Sequence, residues 1–296
     1  MERMRFVRLL GSGIGIDLNY RSTGAINVEF HSHPHYEIYY FHEGFCNYLI
    51  GDKIYELQPG DLIIMDGMTL HRAKTDPKRP YVRSIIHFDP SYIQEWFQLP
   101  CTAQVLKPFQ QLKNARFTLA PQQQIEMAEL LRRMDKFRHN EAVMADARFH
   151  IAFYDLMLFI HQVFELQMVD GPQMEGSEKI KNVQKIITYL EDQYMNDIHL
   201  EDLESALHLD KHYMSKIFKE VTGVTIFTYL YERRINESRI LLYLEERMKI
   251  TDISYQVGFK HPAHFSRVFK NHVGCTPEQF RKQMQLQAQR PSRKVN

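Results

Sequence analysis

The chain has 296 residues, of which 44% are hydrophobic and 12% aromatic, with three cysteines and a formal net charge of +1. A chain of this length and apolar content can hold two ordered domains, and cysteines so few and so far apart exclude a disulfide framework or a Cys-x-x-Cys zinc site. No apolar run reaches the roughly 18 residues of a membrane span, and the first residues lack a secretory signal, so we expect a cytoplasmic protein with no membrane partner.

Residues 26–88 predict an all-β domain. Short runs rich in β-branched and aromatic residues, such as 36–41 and 61–65, are separated by turn signals such as Gly51-Asp52. Their close and regular spacing is typical of a small antiparallel sandwich or barrel.

Residues 121–166 predict a pair of helices, because apolar residues recur there at helical spacing over two long segments. The apolar faces of these helices either cover the sheet or leave part of the surface as a dimer seam. The sequence favours neither interpretation over the other.

Histidines cluster in the predicted β domain. His31, His33 and Glu37 have the spacing of the first motif of cupin barrels, and His71 stands where the second motif would be. Alternate residues of a strand share a face, so these four side chains could form a metal site in a barrel mouth. The second motif is degraded, however, and we favour an effector pocket over a metal site or a purely structural role.

Glu37 is the sharpest candidate in this cluster, because a carboxylate that faces a barrel interior is costly unless it meets a partner or a hydroxyl-rich ligand. A sugar or another small polar molecule would fit that chemistry. The effector-binding candidates are therefore His31, His33, Glu37, Tyr39 and His71.

The second half of the chain is helical in pattern. Residues 169–177 are rich in turn formers and predict an interdomain linker. Residues 178–296 hold 19 Lys and Arg against 15 Asp and Glu, a balance whose sign fits a nucleic-acid partner.

A near-repeat is the most specific feature of this half. The run Met214–Lys219 (MSKIFK) returns as Phe265–Lys270 (FSRVFK), and each copy ends at a Gly followed two residues later by a Thr. Each copy has an apolar face at helical spacing and a basic and polar face opposite, and follows a short helix and a turn. The sequence therefore predicts two helix-turn-helix units, at about 200–222 and 250–273.

The segment between the two units predicts a rigid linker helix. Residues 226–246 contain no Gly or Pro, and at 1.5 Å per residue such a helix spans roughly 30 Å. Because successive major-groove faces on one side of B-DNA lie ~34 Å apart, one chain could read two half-sites.

The helix starts differ between the two units. Asp210 is a good N-cap for the second helix of the first unit, whereas Lys260-His261 offers a weaker start in the second unit. Further along, Thr276-Pro277-Glu278-Gln279 has the arrangement of a capping box.

Residues 181–283 resemble the DNA-binding domain of the AraC/XylS-type bacterial transcription regulators. The matching runs are 252–259 (DISYQVGF), 265–270 (FSRVFK) and 274–281 (GCTPEQFR). The resemblance implies an α+β protein of two domains, in which an N-terminal cupin-like sandwich or barrel with two following helices precedes an all-α double helix-turn-helix. The expected boundaries are 1–168 for the effector-binding and dimerisation domain, 169–177 for the linker, 178–289 for the DNA-binding domain and 290–296 for a tail.

The resemblance also implies function and site residues. We expect a sequence-specific regulator without a cofactor and not an enzyme, which binds double-stranded DNA as a homodimer, takes a small-molecule effector and admits RNA polymerase as a further partner. In that family the outward residues of the second helices enter the major groove, and here Lys216 and Arg267 suit guanine best. The base-facing candidates are His212, Ser215, Lys216, Ala263, Ser266 and Arg267, and the phosphate-facing candidates are Lys219 and Lys270.

Two alternatives stay open at this point. One is a metal-dependent cupin enzyme fused to a DNA-binding module. The other is a regulator controlled by a protein partner.

Overall fold

The computed structural model describes residues 15–23, 30–33, 35–76, 78–97, 101–138, 140, 142–167, 177–245 and 247–288. The chain forms two compact units, one of residues 15–50 and 55–175 and the other mainly of residues 176–296. We call them the β domain and the helical domain. The predicted linker lies outside the described residues except for Ser177, and so does the predicted tail.

The β domain contains two antiparallel sheets. The strands are β1 (Ile16–Thr23), β2 (Tyr36–Gly44), β3 (Cys46–Ile50), β4 (Lys53–Glu56), β5 (Asp61–Asp66), β6 (His71–Thr75), β7 (Tyr81–Phe88) and β8 (Asn114–Thr118). One sheet has the order β1-β7-β2-β5-β8 and the other β4-β3-β6. The predicted antiparallel sandwich is confirmed.

The first strand lies before the predicted start of the β segment in the chain. Ile26 lies outside the described residues, whereas β1 spans Ile16–Thr23 and pairs with β7 at the edge of the larger sheet. Only Ile16 and Leu18 alternate as buried apolar residues at its start, a pattern too short to predict a strand.

Alternation along β2 separates two cores. Ile38 and Tyr40 face a large cluster that includes residues of the helices, while Tyr39 and Phe41 face a second cluster with residues of the smaller sheet. Because side chains of a strand point alternately to its two faces, Glu37 lies on the same face as Tyr39. That placement brings a carboxylate into the interior of the sandwich.

The helices of the β domain are α1 (Pro90–Trp96), α2 (Thr102–Leu112), α3 (Pro121–Arg138) and α4 (Ala145–Gln167). The predicted pair corresponds to α3 and α4, whose buried residues share a cluster with the larger sheet. We did not predict α1, α2 or β8; α2 carries an internal proline, Pro108, which interrupts a helical reading.

The helical domain consists of α5 (Glu178–Gln193), α6 (Leu200–Leu207), α7 (Lys211–Thr222), α8 (Ile226–Leu244), α9 (Ile250–Gln256), α10 (Pro262–Val273) and α11 (Pro277–Ala288). The predicted helix-turn-helix units are α6–α7 and α9–α10, and α8 joins them. Of the described helices, none is long and apolar enough to cross a lipid bilayer.

The predicted caps are present. The Asp210 carboxylate accepts hydrogen bonds from the backbone N–H groups of His212 and Tyr213, at 3.0 and 2.9 Å. Thr276 Oγ1 accepts from the N–H of Gln279, whose side chain accepts from the N–H of Thr276. At the start of α10, within residues 247–288, His261 makes no such side-chain bond, as predicted.

Candidate nucleic-acid and effector sites

Helix α7 presents a polar face opposite a buried one. Met214, Ile217 and Phe218 are buried, and their positions at i, i+3 and i+4 fix which face packs into the core. The predicted residues His212, Lys216 and Lys219 are exposed. Ser215 is half-buried, and its hydroxyl donates to the backbone oxygen of Lys211 at 2.8 Å.

Helix α10 repeats this arrangement with smaller and fewer polar groups. Phe265 and Phe269 are buried, the predicted residues Ala263, Arg267 and Lys270 are exposed, and Ser266 is half-buried. The predicted contact residues of each second helix therefore share one outward side.

Tyr213, which is 40% exposed in the first turn of α7, was not among the predicted contact residues. Its counterpart in α10, His264, packs edge-on against Tyr231 and Phe259, with ring centroids 5.8 and 5.7 Å apart. The two positions differ in the burial of their side chains, and the local sequence does not predict that difference.

Lys211, the first residue of α7, forms an ion pair within its own domain. Its Nζ lies 2.8 Å from Glu201 Oε1, and its backbone N–H donates to Glu204 Oε1 at 3.2 Å. The hydrogen bond to Lys211 lowers the pKa of Glu201 and the same bond raises that of Lys211. Both side chains are exposed to solvent.

The centre of the β-domain site is the carboxylate of Glu37, which is 2% exposed. Its Oε2 lies 3.0 Å from His33 Nε2, 3.1 Å from His87 Nε2 and 3.6 Å from His71 Nε2. Its Oε1 accepts a hydrogen bond from the Tyr48 hydroxyl at 3.4 Å.

Strand pairing assembles this cluster. Glu37 on β2 stands opposite His87 on β7, and an isolated bridge pairs His31 with His71. The imidazole rings of His31 and His71 are 4.1 Å apart between centroids. Of the predicted residues, His31, His33, Glu37 and His71 come together; His87 and Tyr48 belong to the same cluster and were missed.

Tyr39 is fully buried, and its hydroxyl and ring contact other tyrosines. Its hydroxyl donates to the Tyr81 hydroxyl at 2.9 Å, and its ring lies 4.7 Å from that of Tyr48 between centroids. Phenol groups therefore lie next to one another in the interior of the sandwich, and the Tyr48 hydroxyl contacts the Glu37 carboxylate.

Backbone carbonyls fix the tautomers of two of the histidines. His33 Nδ1 lies 3.1 Å from the oxygen of His35, and His71 Nδ1 lies 2.8 Å from the oxygen of Thr69. Because a carbonyl only accepts, each Nδ1 carries the proton. Each Nε2 then turns a lone pair toward Glu37 unless it binds a second proton or a cation.

The charges in the cluster follow from burial and pairing. Burial lowers the pKa of His33 to about 4, against the opposing hydrogen bond to Glu37. Burial alone would raise the pKa of Glu37, but the charge of His87 and its hydrogen bond to the carboxylate hold the pKa of Glu37 well below its usual range. Burial likewise opposes the charged form of His87, yet the charge of Glu37 and the hydrogen bond to it raise the pKa of His87.

Comparisons with known proteins match both units. A family model described as an AraC-like ligand binding domain matches residues 16–146, and one described as a helix-turn-helix domain matches residues 203–283. The Msm operon regulatory protein of Streptococcus mutans serotype c is 31% identical over 132 residues, which cover 45% of this chain and about half, 46%, of that protein.

Two further relatives are HTH-type transcriptional regulators. The regulator in the cgkA 5′ region of Pseudoalteromonas carrageenovora is 32% identical over 124 residues, 40% of this chain and 73% of that protein. YdeC of Bacillus subtilis is 22% identical over 261 residues, 86% of each chain.

The double helix-turn-helix, the β domain and these matches define a class, the DNA-binding transcription regulators that carry a ligand-binding domain. Within that class, the chain belongs to the AraC family.

Proposed function

We propose that α7 and α10 of one chain bind adjacent major grooves of a single duplex, and that the β domain binds a small polar effector such as a sugar beside Glu37. The observation that carries the effector proposal is a buried carboxylate among three histidine nitrogens and a tyrosine hydroxyl. Effector binding changes the affinity for DNA, and by linkage DNA changes the affinity for effector by the same factor.

Chemistry supports a hydroxylated ligand. The Glu37 carboxylate can accept hydrogen bonds from sugar hydroxyls, which compensates its burial. The rings of Tyr39 and Tyr48 supply apolar faces of the kind that line small-molecule sites.

A panel of monosaccharides and disaccharides, screened by thermal shift and followed by calorimetry on the full chain, tests this proposal. A ligand that stabilises the parent should lose at least about tenfold in affinity in the Glu37→Gln variant, since a charge-assisted hydrogen bond is about twice as strong as a neutral one. Glu43→Gln is the matched control, because Glu43 is an exposed carboxylate on the same strand. Equal affinity in both variants would place the ligand elsewhere, and a parent that binds DNA but none of the panel would favour control by a protein partner.

A metal ion is the second candidate ligand, because the fixed tautomers direct lone pairs at one point. Ligand atoms of His31, His33 and His71 lie within 4.8 Å of one another, and so do those of His33, Glu37 and His87. Imidazoles whose other nitrogen donates to a carbonyl are typical of metal ligands, so these residues fit a divalent transition metal, which would supply Lewis-acid chemistry there.

Elemental analysis of full-length protein, purified without a His-tag or chelator, separates the two candidates. Metal at one equivalent that disappears in His33→Ala would favour a metal-dependent site and reopen the enzyme alternative. Protein that binds DNA and effector while holding less than a tenth of an equivalent would exclude it.

We further propose that the chain forms a homodimer through α4 and contacts RNA polymerase when bound to DNA. Support for the dimer comes from exposed apolar residues spaced by seven along the chain, Met144, Ile151 and Leu158. This is the spacing of a coiled-coil seam.

A further inference from the structure

The segment between α5 and α6 contacts both helix-turn-helix units. Residues 194–199, which we call the entry segment, lead directly into α6, the first helix of the first unit. The backbone oxygens of Tyr194 and Asn196 in this segment accept hydrogen bonds from the linker helix α8.

The donor of both bonds is Arg234, which is 7% exposed. Its Nε lies 2.7 Å from the Tyr194 oxygen and its Nη2 lies 2.7 Å from the Asn196 oxygen. The same guanidinium lies 5.7 Å from the ring centroid of Phe259, a buried residue in the turn of the second unit. One side chain of the linker helix thus joins the entry of the first unit to the turn of the second.

Gly258 brings that turn against the same carbonyls. Its φ is +91°, and a Cβ at this position would lie 2.7 Å from the Tyr194 oxygen and 2.9 Å from the Met195 oxygen. Both the left-handed backbone and the close approach require glycine. Lys260 Nζ adds an ion pair with Asp197 Oδ2 at 2.5 Å, which is solvent-exposed and contributes little alone.

We propose that Arg234 and Gly258 form a brace that holds the second helix-turn-helix unit against the entry segment, and so fixes the spacing of the two half-sites that one chain can bind. The brace rests on the proposed binding of two adjacent grooves. Each base pair inserted between half-sites moves the second by ~3.4 Å and rotates it by ~34° about the duplex axis. The linker helix sets the distance between the two units. The brace prevents the units from rotating relative to each other, so they cannot follow the second half-site when an inserted base pair moves it.

The test uses a duplex selected from random-sequence DNA by the full-length parent, with derivatives that carry one or two base pairs inserted or deleted between the half-sites. In the parent, each change of one base pair should weaken binding by about tenfold or more, the cost of losing specific contacts. Arg234→Ala and Gly258→Ala should bind the selected duplex more weakly but show a flat spacing profile, with less than about a threefold loss on insertion. Arg234→Lys, which keeps the charge and one donor, should fall between them and the parent.

Arg247→Ala is the matched control, because it removes an exposed arginine of the same domain and should keep the steep parental profile. Profiles in the Arg234 and Gly258 variants as steep as in the parent would overturn the brace while leaving two-groove binding intact, whereas a flat parental profile would overturn both proposals. If Arg234→Ala does not fold, as judged by circular dichroism, Arg234→Lys and Gly258→Ala decide the question by the same comparison.

Discussion

Lys216 and Arg267 occupy equivalent positions of the two second helices, yet their surroundings differ. Lys216 stands on a helix with an Asp210 cap and an exposed Tyr213, whereas Arg267 stands on one whose first turn exposes Ala263. We therefore expect the first unit to contribute more to DNA affinity than the second.

We expect Lys216→Ala and Arg267→Ala each to cost about 1–3 kcal/mol at the selected site and to relax preference at the contacted base, because both remove a major-groove donor. Lys219→Ala should instead weaken binding uniformly across sequences and reduce the salt slope by about 1, as expected for a phosphate contact. Anisotropy titrations on the selected and single-substituted duplexes measure both effects. Parental binding by both base-contact variants would show that these residues do not read DNA.

His42 gives the β domain a defined response to acid. Its Nδ1 lies 3.4 Å from Arg21 Nη1, so Nδ1 accepts and its Nε2 donates to Ser84 Oγ at 2.7 Å. Burial, followed by the charge of Arg21, lowers the pKa of His42 from 6.5 to about 4. Only the neutral ring fits this arrangement.

Because the folded pKa lies below the unfolded one, unfolding takes up a proton between pH 6.5 and 4, and the stabilisation from His42 is present above pH 6.5 and lost as pH falls. His42→Gln should therefore flatten the decline in unfolding free energy between pH 7 and 5. Urea titrations followed by the fluorescence of the single tryptophan, Trp96, measure this. Parallel curves for parent and variant would contradict the assignment.

At the scale of elements, the two second helices start differently. Asp210 satisfies two backbone N–H groups of α7, whereas His261 caps α10 with no side-chain bond among the described residues. The two helices have the same length. Each is followed by a glycine with a left-handed backbone conformation, Gly223 after α7 and Gly274 after α10.

Asp210→Ala should lower the unfolding free energy of the helical domain by about 1 kcal/mol, and His261→Asn should raise it by about 0.5–1 kcal/mol, the usual worth of an N-cap. Chemical denaturation followed at 222 nm checks both. A loss of stability on His261→Asn would mean that the backbone of that turn does not suit a cap.

Local signals predicted the helical domain well, since caps, glycines and apolar spacing are all short-range. The β-domain cluster was harder. His87 reaches Glu37 only through the pairing of β2 with β7, and Tyr48 only through the packing of one sheet on the other. Contacts between distant residues produce no recognisable pattern in either segment of the sequence. We did not predict β1 for the same reason, because its partner β7 is also distant in sequence.

At the scale of the whole molecule, the exposed face of α4 determines the expected assembly. Ile151 is 60% exposed and Leu158 is 42% exposed, and a second α4 packed antiparallel could cover both. Ile151→Glu and Leu158→Glu should each convert a dimer to monomer, because a buried unpaired charge is costly, whereas Gln122→Glu, an exposed change on α3, should not. Sedimentation velocity distinguishes these outcomes, and a monomeric parent would contradict the seam.

The two helix-turn-helix units keep separate interiors. Phe218 and Leu203 are buried in the first, while Phe265, Phe269 and Ile253 belong to a cluster of the second, and the outward residues of α7 and α10 belong to neither. We therefore expect substitutions at His212 or Arg267 to change the preferred sequence at one half-site while the other half-site and the stability of the domain stay constant. We expect the promoter specificity of such a regulator to change one half-site at a time.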